Sequence, residues 1–251
     1  DEDPNLSVLY IQCGNEVIRQ EIGLRRFEIK GKVLYVNGKK VKGKGVNRHD
    51  SHPQLGSATP VEHMLRDLYI LKAHNVNMIR TSHYPNDPRF LELCDRLGFF
   101  VCDEADLETH GFCMMGKWDA LTDNDEWTDA YLDRAERMME RDKNHACVLM
   151  WSCGNESGSG KVIQSMADSF RALDDTRIVH YEGAFREPYT PDESDVVSTM
   201  YHPVKQIREF LSQYREKPYI LCEYTHSMGN SNGAMHKYTE YAYEEPLFQG
   251  G

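Results

Sequence analysis

Thr59-Pro60-Val61-Glu62-His63-Met64-Leu65-Arg66-Asp67-Leu68-Tyr69-Ile70-Leu71-Lys72-Ala73-His74-Asn75-Val76-Asn77-Met78-Ile79-Arg80-Thr81-Ser82 holds a helix and the strand that follows it. Thr59-Pro60 reads as a cap with proline at the first helical position, and Val61, Met64, Leu65, Leu68 and Leu71 recur at helical spacing. Residues 76–82 then make a short apolar run bounded by polar residues, which predicts a strand. The unit repeats at once: Asp87-Pro88 opens a second helix, Gly98 closes it, and residues 99–104 form the next strand.

The same alternation continues on both sides. Further strands are expected near 44–48, 147–152, 178–182, 196–201 and 219–223, with helices at 125–142, 161–173 and 204–214. Residues 183–195 form a Pro- and acid-rich loop instead. Strand–helix alternation implies an α/β fold with a parallel sheet covered by helices. Seven strands without a glycine-rich nucleotide loop favour a (β/α)8 TIM barrel over a doubly wound sheet. The closed barrel needs eight, and no further strand is evident up to Phe248-Gln249-Gly250-Gly251, so a barrel lacking strand eight is expected.

The N-terminal part reads differently. Ser7–Gln12 and Val17–Ile22 flank a Gly14-Asn15 turn, and a second hairpin pairs Phe27–Lys30 with Val33–Val36, followed by the turn dipeptide Asn37-Gly38. Hairpins alone cannot bury an apolar face. Residues 1–24 are therefore expected to be the C-terminal strands of an all-β domain, and 25–251 the incomplete barrel.

Of the 251 residues, 40% are hydrophobic and 27% charged, as in a globular protein with a real core. The net charge of −11 argues against nucleic-acid and anionic-membrane partners. No apolar run is long enough to span a bilayer, and Asp1-Glu2-Asp3-Pro4 lacks the features of a secretion signal. The seven cysteines include no C-x-x-C pair and read as reduced thiols of a cytoplasmic protein, with Cys102, Cys147 and Cys222 inside apolar strands.

Catalytic groups of such barrels sit at the C-terminal ends of strands. Those ends read Asn47-Arg48-His49-Asp50, Arg80-Thr81-Ser82-His83-Tyr84-Pro85, Asp103-Glu104 and on to Glu108-Thr109-His110-Gly111, Trp151-Ser152-Cys153-Gly154-Asn155-Glu156-Ser157-Gly158, Met200-Tyr201-His202 and Cys222-Glu223-Tyr224-Thr225-His226. Glu156 and Glu223 would face each other across the barrel mouth as the carboxyl pair that glycoside hydrolysis needs. The bland alternative is two surface glutamates. Glu223 weakens it, because it directly follows the apolar run Tyr219-Ile-Leu-Cys and would be costly to bury without a task.

Ser152–Gly158 resembles the acid/base motif of glycoside hydrolase family 2, and Ile220-Leu-Cys-Glu223-Tyr-Thr-His226-Ser-Met-Gly-Asn230 resembles the nucleophile segment of that family's β-galactosidases. Gly45-Val-Asn-Arg-His49, Ser82-His83-Tyr84-Pro85 and Asp103-Glu-Ala-Asp-Leu-Glu108-Thr-His110-Gly match the same enzymes in the same order. The resemblance covers essentially the whole chain and implies an immunoglobulin-like domain before the barrel. It implies Glu223 as nucleophile, Glu156 as acid/base, and Asn155 as a partner of the sugar 2-hydroxyl. By the same resemblance Asn47, His49, His83 and His226 contact substrate, and Tyr201 serves the covalent step.

Glu108, His110 and Glu156 would hold Mg²⁺, and a sodium site would lie mostly outside this segment. Residues 108 and 110 are two apart, so an extended chain points both the same way. The substrate would be a terminal β-galactoside such as lactose, and the full-length protein a homo-oligomer. A β-glucuronidase-like glycosidase and an inactive sugar-binding or complementing fragment are the competing readings. Asp50 and Ser51 stand where Glu and His are common in the family, which leaves those two positions open.

Some motifs are set aside. Gly38–Gly45 nearly spells a phosphate-binding loop, but it lacks the Ser or Thr and precedes a strand. Met138-Met139 and the Trp127/Tyr131 pair read as one helix's core face. Asp123–Glu126 and Asp192–Asp195 read as solvated caps and loops.

Overall fold

The computed structural model describes residues 3–186 and 189–251. Two antiparallel strands come first, β1 (Leu6–Cys13) and β2 (Glu16–Gly23), in register from Leu6 opposite Gly23 to Cys13 opposite Glu16. Val8, Leu9, Tyr10, Ile11, Val17 and Ile18 of this hairpin are all exposed. Next come β3 (Phe27–Lys30), β4 (Val33–Val36) and a short β5 (Lys39–Lys40) that the sequence reading missed. Asn37 and Gly38, both at positive φ, make the turn between β4 and β5.

Barrel strands β6 (Gly45–Arg48), β7 (Met78–Thr81), β8 (Phe100–Glu104), β9 (Val148–Ser152) and β10 (Ile178–His180) form one parallel sheet in chain order. β11 (Val197–Met200) and β12 (Tyr219–Glu223) form a second parallel pair. Asp195 joins the two sheets: its N–H donates to Val179 O at 2.9 Å and its carboxylate accepts from Val179 N–H at 2.7 Å. Helices α1 (Val61–Ala73), α2 (Pro88–Leu97), the single turn α3 (His110–Cys113), α4 (Thr128–Asp142), α5 (Lys161–Leu173), α6 (Val204–Gln213) and α7 (Met235–Glu244) connect the strands. α2 has the caps its sequence predicts: Asp87 accepts from Arg89 N–H, and Gly98 ends it in the left-handed region.

The expectation about strand eight needs correction. Residues 247–251 lie between β12 and the stretch before β6. Tyr219 N–H donates to Leu247 O (2.8 Å), Gln249 N–H to Tyr219 O (2.7 Å), and Gly43 N–H to Gln249 O (2.6 Å). Gly45 N–H donates to Gly251 O (2.7 Å), and Leu221 N–H to Gly250 O (2.9 Å). The lower halves of the two flanking strands are thus bridged through an eighth segment. Its Gly-Gly ending gives no apolar alternation to read as a strand. The helix before it, α7, was also missed: Ala234 enters it at positive φ with no side-chain cap, and only Tyr241 and Ala242 are buried.

Two cores result. One lies between strands and helices, with Ile79, Val101, Trp151, Val179, Val197 and Leu221 facing Leu68, Phe90, Met138, Phe170 and Ile207. The other closes the lower end of the barrel, where Phe27 and Leu34 pack with Met78, Cys102, Leu149, Met150, Ile178 and Ile220. Tyr131, Met138 and Met139 are buried as expected, whereas Trp127, in the single turn before α4, is exposed. All seven cysteines are free, and Cys102, Cys147 and Cys222 are buried. Gly38–Gly45 leads into β6, a strand, where a phosphate-binding loop would open a helix. No helix among the described residues is long and apolar enough to cross a membrane.

Candidate active site

Within β7 the period-two alternation sends Met78 into the lower core, Ile79 outward and Arg80 to the upper interior. Arg80 is buried, and each of its three nitrogens donates to a partner. Its Nε donates to Glu104 Oε2 (2.7 Å), Nη1 to Glu223 Oε1 (3.0 Å) and Nη2 to Asn155 Oδ1 (2.8 Å). Burial works against its charge, but Glu104 and Glu223 outweigh that and hold its pKa well above the usual value.

Glu104, wholly buried at the end of β8, also accepts from His83 Nδ1 (2.8 Å) and Ser152 Oγ (2.7 Å). Burial alone would raise its pKa, but Arg80 and His83 bring it down to about 2. Behind Ser152, His180 lies between Ser152 Oγ (2.9 Å) and Ser198 Oγ (2.8 Å), and burial lowers its pKa to about 4, so the ring is neutral. The sequence reading did not single out Arg80, Glu104 or His180. An arginine inside a strand as apolar as 76–82 carried the same signal that drew attention to Glu223.

Glu223 ends β12. Beyond Arg80, its other carboxylate oxygen accepts from the Tyr201 hydroxyl, and His83 Nε2 lies 3.7 Å from Oε1. Tyr201 follows β11 at positive φ, and its N–H donates to Glu223 O (2.8 Å). Burial and the Glu223 carboxylate push the phenol well above its ordinary pKa, so it stays a donor. A cavity of about 820 Å³ opens here, and Asn47, His49, His83, Tyr201, Glu223 and His226 all line it. The His49 and His83 rings meet edge-on at 5.5 Å, and the His226 ring lies 6.0 Å from Tyr201. Burial, then His83, lowers the pKa of His49.

Asn155 and Glu156 follow β9. Gly154 precedes them at φ +141°, where an added Cβ would lie 2.7 Å from Leu107 O. That closeness lets Asn155 N–H donate to Leu107 O (2.9 Å) and sets Asn155 beside Glu108 in a parallel bridge. At Gly158 a Cβ would lie 2.4 Å from Trp118 O. Both glycines of the motif are therefore demanded by backbone packing.

Glu108, His110 and Glu156 each offer a donor atom, all within 4.8 Å of one another, and His110 Nδ1 directly meets a Glu156 carboxylate oxygen. Two carboxylates and an imidazole converging from separate segments fit a divalent cation, with the oxygens suited to a hard ion. The structure thus assembles the sequence-derived residues into two groups, the cavity wall and the Glu108–His110–Glu156 cluster. Arg80 and Asn155 link them. Glu193, read as solvated, is instead buried and accepts from Gly160 N–H (2.8 Å) just past the acid/base motif.

These features are those of glycoside hydrolase family 2, and the chain belongs to that family: residues 27–251 match "Glycosyl hydrolases family 2, TIM barrel domain". Over its full length it is 45% identical to the β-galactosidases of Halalkalibacterium halodurans and Clostridium acetobutylicum, covering 26% and 29% of them. It is 40% identical to the Kluyveromyces lactis β-galactosidase, with 93% of this chain and 25% of the relative matched. The chain thus spans a little over a quarter of the length of the first two. Among solved structures, a β-glucuronidase from an uncultured Clostridium superposes with a TM-score of 0.81 at 22% identity, over 100% of this chain and 50% of that one. That likeness is one of fold.

Proposed function

We propose that this chain is the catalytic barrel of a retaining β-galactosidase that cleaves terminal β-D-galactosides such as lactose. The observation that carries the reading is Glu223, held by Arg80 and Tyr201 at the wall of a histidine-lined cavity, with Asn155-Glu156 tied to the same arginine. Glu223 attacks the anomeric carbon and forms a galactosyl ester while Glu156 gives its proton to the departing oxygen. Glu156 then takes a proton from the water that cleaves the ester. Tyr201 yields its hydrogen bond as Glu223 becomes esterified and regains it on release. Asn155 and the His49, His83 and His226 rings bind sugar hydroxyls, and Asn47 joins them at the wall.

Glu108, His110 and Glu156 would hold a Mg²⁺ ion, which when bound supplies positive charge beside the acid/base. Chelation should lower turnover, and Glu108→Gln should blunt the response to added Mg²⁺ while leaving the melting temperature nearly unchanged. Equal activity with and without chelator would remove the metal from this reading.

The glucuronidase alternative rests on fold likeness alone. A glucuronide carboxylate calls for a free cation, and the arginine among the described cavity residues, Arg80, is already shared by Glu104, Glu223 and Asn155. The exposed apolar residues of β1 and β2 support assigning residues 1–24 to a separate all-β domain.

The test is a mechanism-based fluorogalactoside on the full-length protein, followed by peptide mapping. Label on Glu223 with the anomeric configuration retained supports the proposal. Label elsewhere, or inversion, refutes it. A crystal structure of the full-length protein should place the two carboxyl groups about 5–5.5 Å apart.

A further inference from the structure

We propose that Glu182, backed by Arg186 and Trp118, is a positioning assembly that holds the Glu156 carboxylate through its backbone and its side chain at once. The proposal rests on the acid/base role of Glu156.

Glu156 sits at φ +38°, in the left-handed region that a glutamate adopts only under constraint. Its N–H donates to Glu182 Oε1 at 2.9 Å. Glu182 follows β10 and is nearly fully buried, so this acceptor is a carboxyl group withdrawn from water rather than a surface side chain. Such a group is costly to keep unless its partners are fixed. Arg186, one turn further on, donates Nη2 to both Glu182 oxygens, at 2.6 and 2.7 Å.

The arginine is itself held. Its guanidinium carbon lies 4.2 Å from the centre of the Trp118 ring, a cation–π contact. Trp118 also stacks with His110, at 5.8 Å and 25°. His110 in turn meets the Glu156 carboxylate. A closed circuit results: from the Glu156 backbone to Glu182, Arg186, Trp118, His110 and back to the Glu156 side chain.

Neighbouring bonds stiffen the same loop. Tyr181 OH donates to Gly158 O (2.6 Å), Ser159 Oγ to Gly183 O (3.1 Å), and Gly160 N–H to Glu193 Oε1 (2.8 Å). The segment after β10 therefore binds the acid/base loop step by step, and Glu182 alone among these contacts grips Glu156 itself. A misplacement of about 1 Å in a reacting group can cost roughly 100-fold in rate. In Glu182→Gln one carboxyl oxygen becomes an amide NH2 that cannot accept from Arg186, so the side chain loses half of its anchorage and holds the Glu156 N–H less firmly.

The experiment compares Glu182→Gln, Arg186→Met and Trp118→Leu with the parent and with Glu156→Gln, all in the full-length protein. Two substrates are used: methyl β-galactoside, whose leaving group needs a proton, and dinitrophenyl β-galactoside, whose leaving group departs without one. For Glu182→Gln, kcat/KM on the methyl glycoside should fall roughly tenfold or more, and on the dinitrophenyl glycoside less than about twofold. Arg186→Met and Trp118→Leu should follow the same pattern more weakly, and they decide the matter if Glu182→Gln does not fold. Equal losses on both substrates, or none, overturn the proposal. If Glu156→Gln shows the leaving-group dependence and the other variants do not, the positioning role fails while the acid/base reading stands. If Glu156→Gln lacks it too, both fall.

Discussion

The two ends of the barrel are built from the same strands and have opposite chemistry. At the lower end Met78, Cys102, Met150 and Ile220 close on Phe27 and Leu34 of the β3–β4 hairpin. Two residues further along those strands stand Arg80, Glu104, Ser152 and Cys222, three of them joined in one hydrogen-bonded network. Because side chains alternate, every second residue of a strand faces the interior, and the interior changes from apolar to ionised within about 7 Å of strand. Stability can be concentrated below and chemistry above, as TIM barrels do in general.

The largest effect should come from the upper end alone. Glu223→Gln in the full-length protein should lower turnover on the order of 10⁴-fold, with an unchanged circular dichroism spectrum. An amide cannot form the glycosyl ester. Substantial residual turnover with retention would mean that the division of labour is drawn in the wrong place.

Arg80→Met breaks the comparison, because it should damage both properties. It leaves Glu104 buried without its cation, which costs about 3–5 kcal/mol, and frees Glu223. Denaturant unfolding and turnover should fall together. A stable but inactive variant would show that Glu104 finds relief elsewhere.

Leu34→Ala tests the lower end in isolation. Leu34 is buried in the plug, and its truncation should cost about 2–5 kcal/mol of unfolding free energy. Active-site titration should find turnover per folded molecule unchanged. A parallel loss of kcat would show that the plug also shapes the mouth.

The smallest effect is one of pH. Glu104 has its pKa depressed from 4.5 to about 2, so its contribution to stability is present above about pH 4.5. That contribution is lost as pH falls through about 2. The stability advantage of the parent over Glu104→Gln, measured by denaturant unfolding, should therefore shrink between about pH 5 and pH 3. A constant difference over that window would mean that the Arg80–Glu104 pair does not set the titration.

What could be read from the chain alone was whatever repeats or is local. The helix between Asp87 and Gly98 falls where its caps put it. The one after Thr59-Pro60 falls where its apolar spacing predicts, but Pro60 takes the cap position instead of the first helical one and no side chain caps the helix. The strand that ends at Glu223 also falls where its apolar run predicts. Periodicity and capping are properties of a few adjacent residues, so they survive without any knowledge of the fold. Family membership was legible for a related reason: five short motifs kept their order.

Only the tertiary structure decided the rest. Residues 247–251 carry no strand pattern, and they take the eighth position because β12 and the chain before β6 offer them partners on both sides. Exposure reversed two local readings, at Trp127 and Glu193, because burial depends on what packs opposite rather than on neighbours in sequence. In isolation Arg80 gives only the signal of a charge inside an apolar strand, without naming a partner, and Glu182 gives none. Their partners lie 143 and 26 residues away in Glu223 and Glu156, a relation that exists only once the barrel has brought strand ends together.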